Sequence, residues 1–276
     1  MNYFSKNTMY SKPLAIALLA VVSISFSGCD EDEKQELDKR NWSLVWSDDF
    51  NGTAGDLPDE TKWGFDLGNN NGWGNQELES YTKEPENVSL DGNGNLVITA
   101  IKNGNSFTSA RVKTQDKFTQ AYGRFEARLK TPYGPGIWPA FWMLGANNLE
   151  VGWPQCGEID IMEMKGQQPN IVNGTIHGPG YNAGNAISGS YALRNSRFDL
   201  DFHVFAVEWT ADQIDFFVDD YLYKRITKKD VPGQWVYDHP FFLLLNVAVG
   251  GNYVGFPTDQ TPFPQKITID YVRVYQ

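Results

Sequence analysis

The sequence predicts an all-β protein of two large antiparallel sheets packed face to face, and three observations carry that prediction. Apolar residues recur in short alternating runs, those runs are broken by Gly, Asn, Asp and Pro, and helical periodicity is almost absent from Trp42 to Gln276. The 9 Trp, 13 Tyr and 17 Phe suit pleated surfaces, and some of them suit a groove that binds sugar rings. With 276 residues, 41% of them hydrophobic, there is ample material for a sizeable core. Sheets of this extent can curve enough to form a cleft.

The N-terminus reads as an address. Lys6 and Lys12 precede an apolar run from Pro13 to Ser25, followed by Phe26-Ser27-Gly28-Cys29. A basic start, a short apolar stretch and small residues at its end describe a secretory signal peptide over residues 1–28. The run is shorter than the ~20 residues of a transmembrane helix. Ser27-Gly28-Cys29 also resembles a bacterial lipoprotein cleavage box, with Phe26 where that box usually has Leu. That resemblance implies lipidation of Cys29 and a protein lipid-anchored to the bacterial outer membrane, at the cell surface. Residues 29–41 carry the charged run Asp30-Glu31-Asp32-Glu33-Lys34-Gln35-Glu36, which has no periodicity and reads as a solvated tether. With Cys29 lipidated, Cys156 is the unpaired thiol of the mature chain and reads as a packing residue.

From Trp42 to Gln276 the chain reads as one β-rich domain. Leu96–Ile101 is apolar and β-branched, a strand. In Tyr122–Lys130 the alternation sets Arg124, Glu126, Arg128 and Lys130 on one face and Phe125, Ala127 and Leu129 on the other. Ile214–Val218 and Leu222–Ile226 flank Asp219-Asp220 and predict a hairpin. Ile267–Tyr275 closes the chain as a strand. The net charge of −11 argues against nucleic acid or an anionic membrane surface as partner, since both reward clusters of Lys and Arg. It fits a neutral substrate, with the N-terminal lipid as the only membrane contact. The domain is expected to be a monomer.

The chemistry concentrates in Glu158-Ile159-Asp160-Ile161-Met162-Glu163. Three acids sit among Ile and Met in a run that otherwise belongs inside a protein, which is costly unless they face a wet groove or share protons. On a regular strand Glu158 and Asp160 share a face and Glu163 points away. One β-bulge between Asp160 and Glu163 returns all three to one face. The span is then about four steps of ~3.3 Å, and side chains leaning inward bring the two Glu carboxyls to about 5 Å. A retaining glycosidase needs ~5–5.5 Å, and an inverting one needs more room. The competing readings of the spacing are a metal site or an exposed acidic strand face. Only three histidines exist and none lies close in sequence.

Glu158–Glu163 resembles the signature of glycoside hydrolase family 16, in its laminarinase-like branch with an extra residue before the second Glu. Gly72–Thr82, Tyr122–Arg128, Gly136–Leu144, Gly174–Gly178, Leu245–Gly251 and Asp270–Tyr275 all resemble segments of that family, in the family's order. The resemblance implies a jelly-roll β-sandwich with a concave substrate cleft, and a retaining endo-β-glucanase acting on β-1,3-glucan, mixed-linkage β-1,3/1,4-glucan or both. It implies Glu158 as nucleophile and Glu163 as general acid/base, and Asp160, between them on the same face, is expected to hydrogen-bond to Glu158 and orient it. It further implies Trp138, Trp142, Trp153, His177, Asn75, Arg124, Glu126 and Asn246 as substrate-binding residues. No cofactor is implied for catalysis. A structural calcium is, at Asp49, Gly94 and Asp270, and oxygen ligands suit such a hard cation. The alternatives are a galactanase of the same family and a surface glycan-binding protein of the same fold.

Overall fold

The computed structural model describes Met1 and residues 40–276. The expected signal peptide, most of the tether and the lipidation site Cys29 lie outside the described residues. Residues 40–276 fall within one compact unit. Among the described residues, seventeen strands make two sheets, one of ten strands and one of seven. The only α-helix among them is the four-residue turn Asn148–Val151.

The ten-stranded sheet is ordered Tyr221–Thr227, Gln213–Val218, His203–Trp209, Gly123–Lys130, Gln265–Tyr275, Leu96–Asn103, Ser106–Ser109, Glu79–Tyr81. Leu44–Asp48 adds to Gln265–Tyr275, and Val88–Leu90 adds to Leu96–Asn103. All its pairs are antiparallel except Glu79–Tyr81 with Ser106–Ser109. The strands expected around residues 96, 123, 214, 222 and 267 are present. The predicted hairpin turns at Asp219-Asp220 with φ 49° and 66°, the positive pair that a two-residue turn needs to match strand twist.

The seven-stranded sheet is antiparallel throughout and ordered Ile187–Ala192, Ile171–His177, Glu158–Glu163, Ile137–Gly145, Phe241–Val249, Arg111–Lys113, Gly64–Asp66. Its inner face meets the other sheet. Ile137, Phe141 and Met143 from one strand, Ile159 and Ile161 from the next, and Leu243, Leu245 and Val247 from a third are essentially solvent-free there. Burying an aliphatic or Met side chain of this kind contributes about 1.5–3 kcal/mol, so these alternate positions fix which face of each strand turns inward. The opposite parity, Trp138, Ala140, Trp142 and Leu144, or Leu244 and Asn246, is thereby committed to the open face. The fold is a jelly-roll sandwich of two sheets, and the open face of the seven-stranded one carries these outward positions.

Candidate active site

Strand Glu158–Glu163 carries the expected bulge. Against Ile171–His177, Glu158 pairs with His177, Asp160 with Thr175 and Glu163 with Asn173, so three residues of one strand match two of its partner. The same irregularity falls between Asp160 and Met162 against Ile137–Gly145. Ile161 and Met162 both enter the core at the bulge, and Glu158, Asp160 and Glu163 share the open face. Five residue steps of this strand thus run beside four on either neighbour, the spacing expected above.

His177 stands beside Glu158. Its Nδ1 accepts the Ala183 backbone N–H at 3.1 Å, so its proton sits on Nε2. Nε2 approaches Asp160 Oδ2 at 3.1 Å and Glu158 Oε1 at 3.9 Å. The Asp160 contact is a charge approach without hydrogen-bond alignment, because buried Asp160 Oδ2 has no aligned donor. Glu158, Asp160 and His177 offer ligand atoms within 4.8 Å of one another, a grouping that could hold a metal ion. The proton on Nε2 opposes that use, since a ligating nitrogen must be bare. Glu163 Oε1 accepts the Trp138 indole N–H at 3.0 Å.

Burial sets the charge state of all three acids. Asp160 is 3% exposed and Glu163 8%. Asp160 is held well above the carboxylate range, first by burial and then by the Glu163 charge. Glu163 is pushed up to about 7 by burial, with His177 and Trp138 pulling the other way and Glu158 adding to the rise. Glu158 is raised by burial and by Asp160, while His177 and Trp153 oppose the rise. A proton kept on Asp160 removes the anion that most disfavours an ionised Glu158. Glu158, pushed up to about 8, stands slightly above Glu163, so the roles of nucleophile and proton donor follow from position on the strand and not from these shifts.

Around this strand the structure gathers most of the residues singled out in the sequence. Trp153, at the Glu158 end, is 46% exposed with its ring 5.9 Å from that of His177. Trp142 donates to Asn246 Oδ1 at 2.7 Å. Asn246 donates to the Tyr81 hydroxyl at 3.2 Å, and Asn75 to Glu77 at 3.1 Å. Arg124 and Glu126 are the correction. Phe125, Ala127 and Leu129 of their strand fill the core from the ten-stranded sheet, which turns Arg124 and Glu126 to the outer surface of that sheet, away from the carboxylates. They pair with each other at 2.8 Å, and Arg124 also reaches Glu208 and Asp220.

The arginine on the open face is Arg111, which sequence reasoning missed. Only 7% exposed, it sits 4.5 Å from the rings of both Trp73 and Tyr81 and donates to Glu77 at 3.2 Å and to the Tyr81 hydroxyl at 3.1 Å. Its Nε and the Trp73 indole nitrogen are buried without hydrogen-bond partners among the described residues. Asn173 and Tyr253, also missed, join at 2.9 Å. Parity could have found Asn173, because it alternates with Thr175 and His177.

Of the residues expected to hold calcium, Gly94 has φ +84° and lies against the Asp49 carbonyl, 3.9 Å from where a Cβ would stand. Asp49 Oδ1 takes Arg273 at 2.8 Å and Asp270 Oδ2 takes Arg128 at 2.5 Å. Cys156 is a buried free thiol pushed up to about 11, chiefly by burial, as a packing residue should be.

The profile described as Glycosyl hydrolases family 16 matches residues 75–273. The beta-glucanase of Rhodothermus marinus is 41% identical over 276 residues, covering 95% of this chain and 93% of that protein. The laminarinase catalytic domain of Thermotoga maritima MSB8 shares 47% identity at a TM-score of 0.81, covering 86% of this chain and 99% of that one. The endo-beta-1,3-glucanase of Pyrococcus furiosus shares 44% at a TM-score of 0.81, covering 88% and 97%. With likeness at that identity running through the carboxylate strand and nearly the whole of each partner, the chain belongs to glycoside hydrolase family 16.

Proposed function

We propose that this enzyme is a retaining endo-β-glucanase that hydrolyses β-1,3-glucan, mixed-linkage β-1,3/1,4-glucan or both. The observation that carries it is the bulge, which seats Glu158 and Glu163 four strand steps apart on one face with Asp160 between them and His177 opposite Glu158. Glu163 protonates the glycosidic oxygen while a Glu158 oxygen attacks the anomeric carbon, and the C–O bond to the departing sugar breaks. Glu163, now ionised, takes a proton from water. The water oxygen then displaces Glu158 and regenerates both groups. Trp138 holds the Glu163 carboxyl toward the cleft, and Arg111, Asn246, Asn75 and Trp142 offer donors and ring surface to the bound sugar.

The test is reducing-end release from laminarin, barley mixed-linkage glucan and agarose, with the anomeric form of the first product read by NMR. Release from either glucan with the β-anomer formed first is the expected result, and the ratio of the two rates gives the linkage preference. Release from agarose alone would move the enzyme to galactans, and binding without release would move it to glycan capture.

The same proposal anchors the enzyme through a lipid on Cys29 to the bacterial outer membrane, facing out, as a monomer. Fatty-acid labelling lost in Cys29→Ala tests the anchor. A structural calcium would take the Asp49 and Gly94 carbonyls with the carboxylate oxygens that Arg273 and Arg128 leave over, and has no part in the reaction. Metal analysis before and after EDTA treatment checks it, and calcium in neither sample removes it.

A further inference from the structure

Strand Glu158–Glu163 divides the open face into halves of different chemistry. On the side of Phe241–Val249 lie buried, interlocked groups, with Arg111 set among the rings of Trp73 and Tyr81. On the side of Ile187–Ala192 lie small polar groups near solvent. Ser188 and Ser190 are exposed, and that strand has no further neighbour within its sheet. A covalent intermediate requires one sugar segment to be held while the other leaves and is replaced. The dense half suits the held segment, and the open half suits the exchanging one.

Tyr253 reaches over the Glu163 end of the catalytic strand between these halves. Its ring packs against Trp138 at 5.1 Å, and Trp138 in turn holds Glu163. The Lys165 ammonium lies 4.4 Å from the ring centre. The phenol oxygen accepts from Asn173 Nδ2 at 2.9 Å, and Asn173 Oδ1 accepts from Ser190 at 2.6 Å. Asn173 lies opposite both Glu163 and Ser190 in register, so this seat is built from three adjacent strands. With its oxygen so engaged, the Tyr253 proton has no acceptor among the described residues. Burial raises the phenol pKa and the charges of Glu163 and Asp160 add to it, which sets Tyr253 within the field of the acids and keeps its proton in place.

We infer that the Tyr253 hydroxyl, seated by Asn173 and Ser190, donates a hydrogen bond to the sugar on the exchanging side and so forms an acceptor subsite beside the acid/base. The inference rests on the β-glucanase reading. In the second step, a sugar hydroxyl held there competes with water. Its oxygen bonds to the anomeric carbon, the bond to Glu158 breaks with its electron pair returning to that carboxylate, and the hydroxyl proton passes to Glu163. Water gives a free reducing end, and a sugar hydroxyl gives a longer glucan. Tyr253 is therefore a specificity-determining residue for the partition between hydrolysis and transfer.

The experiment supplies wild type, Tyr253→Phe and Asn173→Ala with a short β-1,3-glucan donor and rising amounts of β-1,3-linked glucose disaccharide. Transfer and hydrolysis products are counted in the same reaction. Phe keeps the ring against Trp138 and removes only the proton. The transfer-to-hydrolysis ratio should fall about 3- to 10-fold in Tyr253→Phe, the scale of one neutral hydrogen bond, and in the same direction in Asn173→Ala. A merely structural role lowers both products together, so an unchanged ratio in Tyr253→Phe overturns the proposal. Absence of transfer by wild type at every acceptor concentration also overturns it. Wild type releasing reducing ends from laminarin keeps the underlying reading standing in either case. Wild type inert on every glucan sinks that reading, and this one with it.

Discussion

At Glu163 burial and hydrogen bonding oppose each other, and burial prevails, lifting the group to about 7. Glycosidic cleavage begins with a proton on Glu163, so kcat/KM should fall as pH rises through about 7. An alkaline limb near 4.5, the ordinary glutamate value, would show that the site is wetter than its geometry states. The same shift has a sign for stability. Between about 4.5 and 7 the unfolded chain has released a proton that the native site still holds, so stability is lost as pH rises across that window. Glu163→Gln should lower kcat by about 10²–10⁴. It should also melt higher than wild type at pH 8 and not at pH 4, by about 2–4 °C for each kcal/mol recovered. Melting points shifted equally at both pH values would deny that the charge is disfavoured there. Asp160 keeps its proton and acts on Glu158 through position and hydrogen bonding, burial being the main cause of the Glu158 rise, so neutral Asp160→Asn should leave the acid limb of the profile in place while reducing kcat. A pH–rate series with full activity would remove Asp160 from the mechanism.

The strand from Glu158 to Glu163 shows what one extra residue does to an element. Ile161 and Met162 both pack in the core, so the bulge adds an apolar side chain while keeping the second Glu on the open face. Deleting Ile161 restores plain alternation, under which Glu158, Asp160 and Glu163 still share a face. The deletion variant should lose about 2–5 kcal/mol of stability for one missing core side chain. It should still hydrolyse glucan at least about tenfold faster than Glu163→Ala, given the 10²–10⁴ attached to the proton donor. Activity equal to Glu163→Ala in that comparison would mean that the bulge itself sets the carboxyl spacing. This element was legible from sequence because parity shows that one bulge between Asp160 and Glu163 returns all three acids to one face, and the structure carries that bulge. Parity also separated Arg124 and Glu126 from Phe125, but it cannot say which sheet a strand joins, and there the reading failed. Arg111 was hidden for a different reason. Its strand is three residues long, and its partners Tyr81 and Glu77 lie 30 and 34 residues away. No local pattern reports such a pairing.

At the scale of the molecule, the cleft runs across strands rather than along them. Seven strands at about 4.8 Å spacing give the open face a width of about 29 Å, room for several sugar units on both sides of the catalytic strand. The polar groups follow that axis, from Arg111 through Asn246, Glu163 and Asn173 to Ser190, each in register with the next or one strand from it. The end strand Ile187–Ala192 lets the row run on to solvent, whereas an enzyme trimming chain ends would wall it off. Cutting should therefore fall within chains. In a viscometer the viscosity of a mixed-linkage glucan solution should collapse while few reducing ends have appeared, and early products should span many lengths. Binding energy gathered along the whole row is also available to the transition state. Shortening the substrate to two or three units should then lower kcat as well as raise KM. Steady release of one short product with viscosity falling only in proportion would mean that one end of the row is closed, and the open-ended reading of the cleft would be wrong.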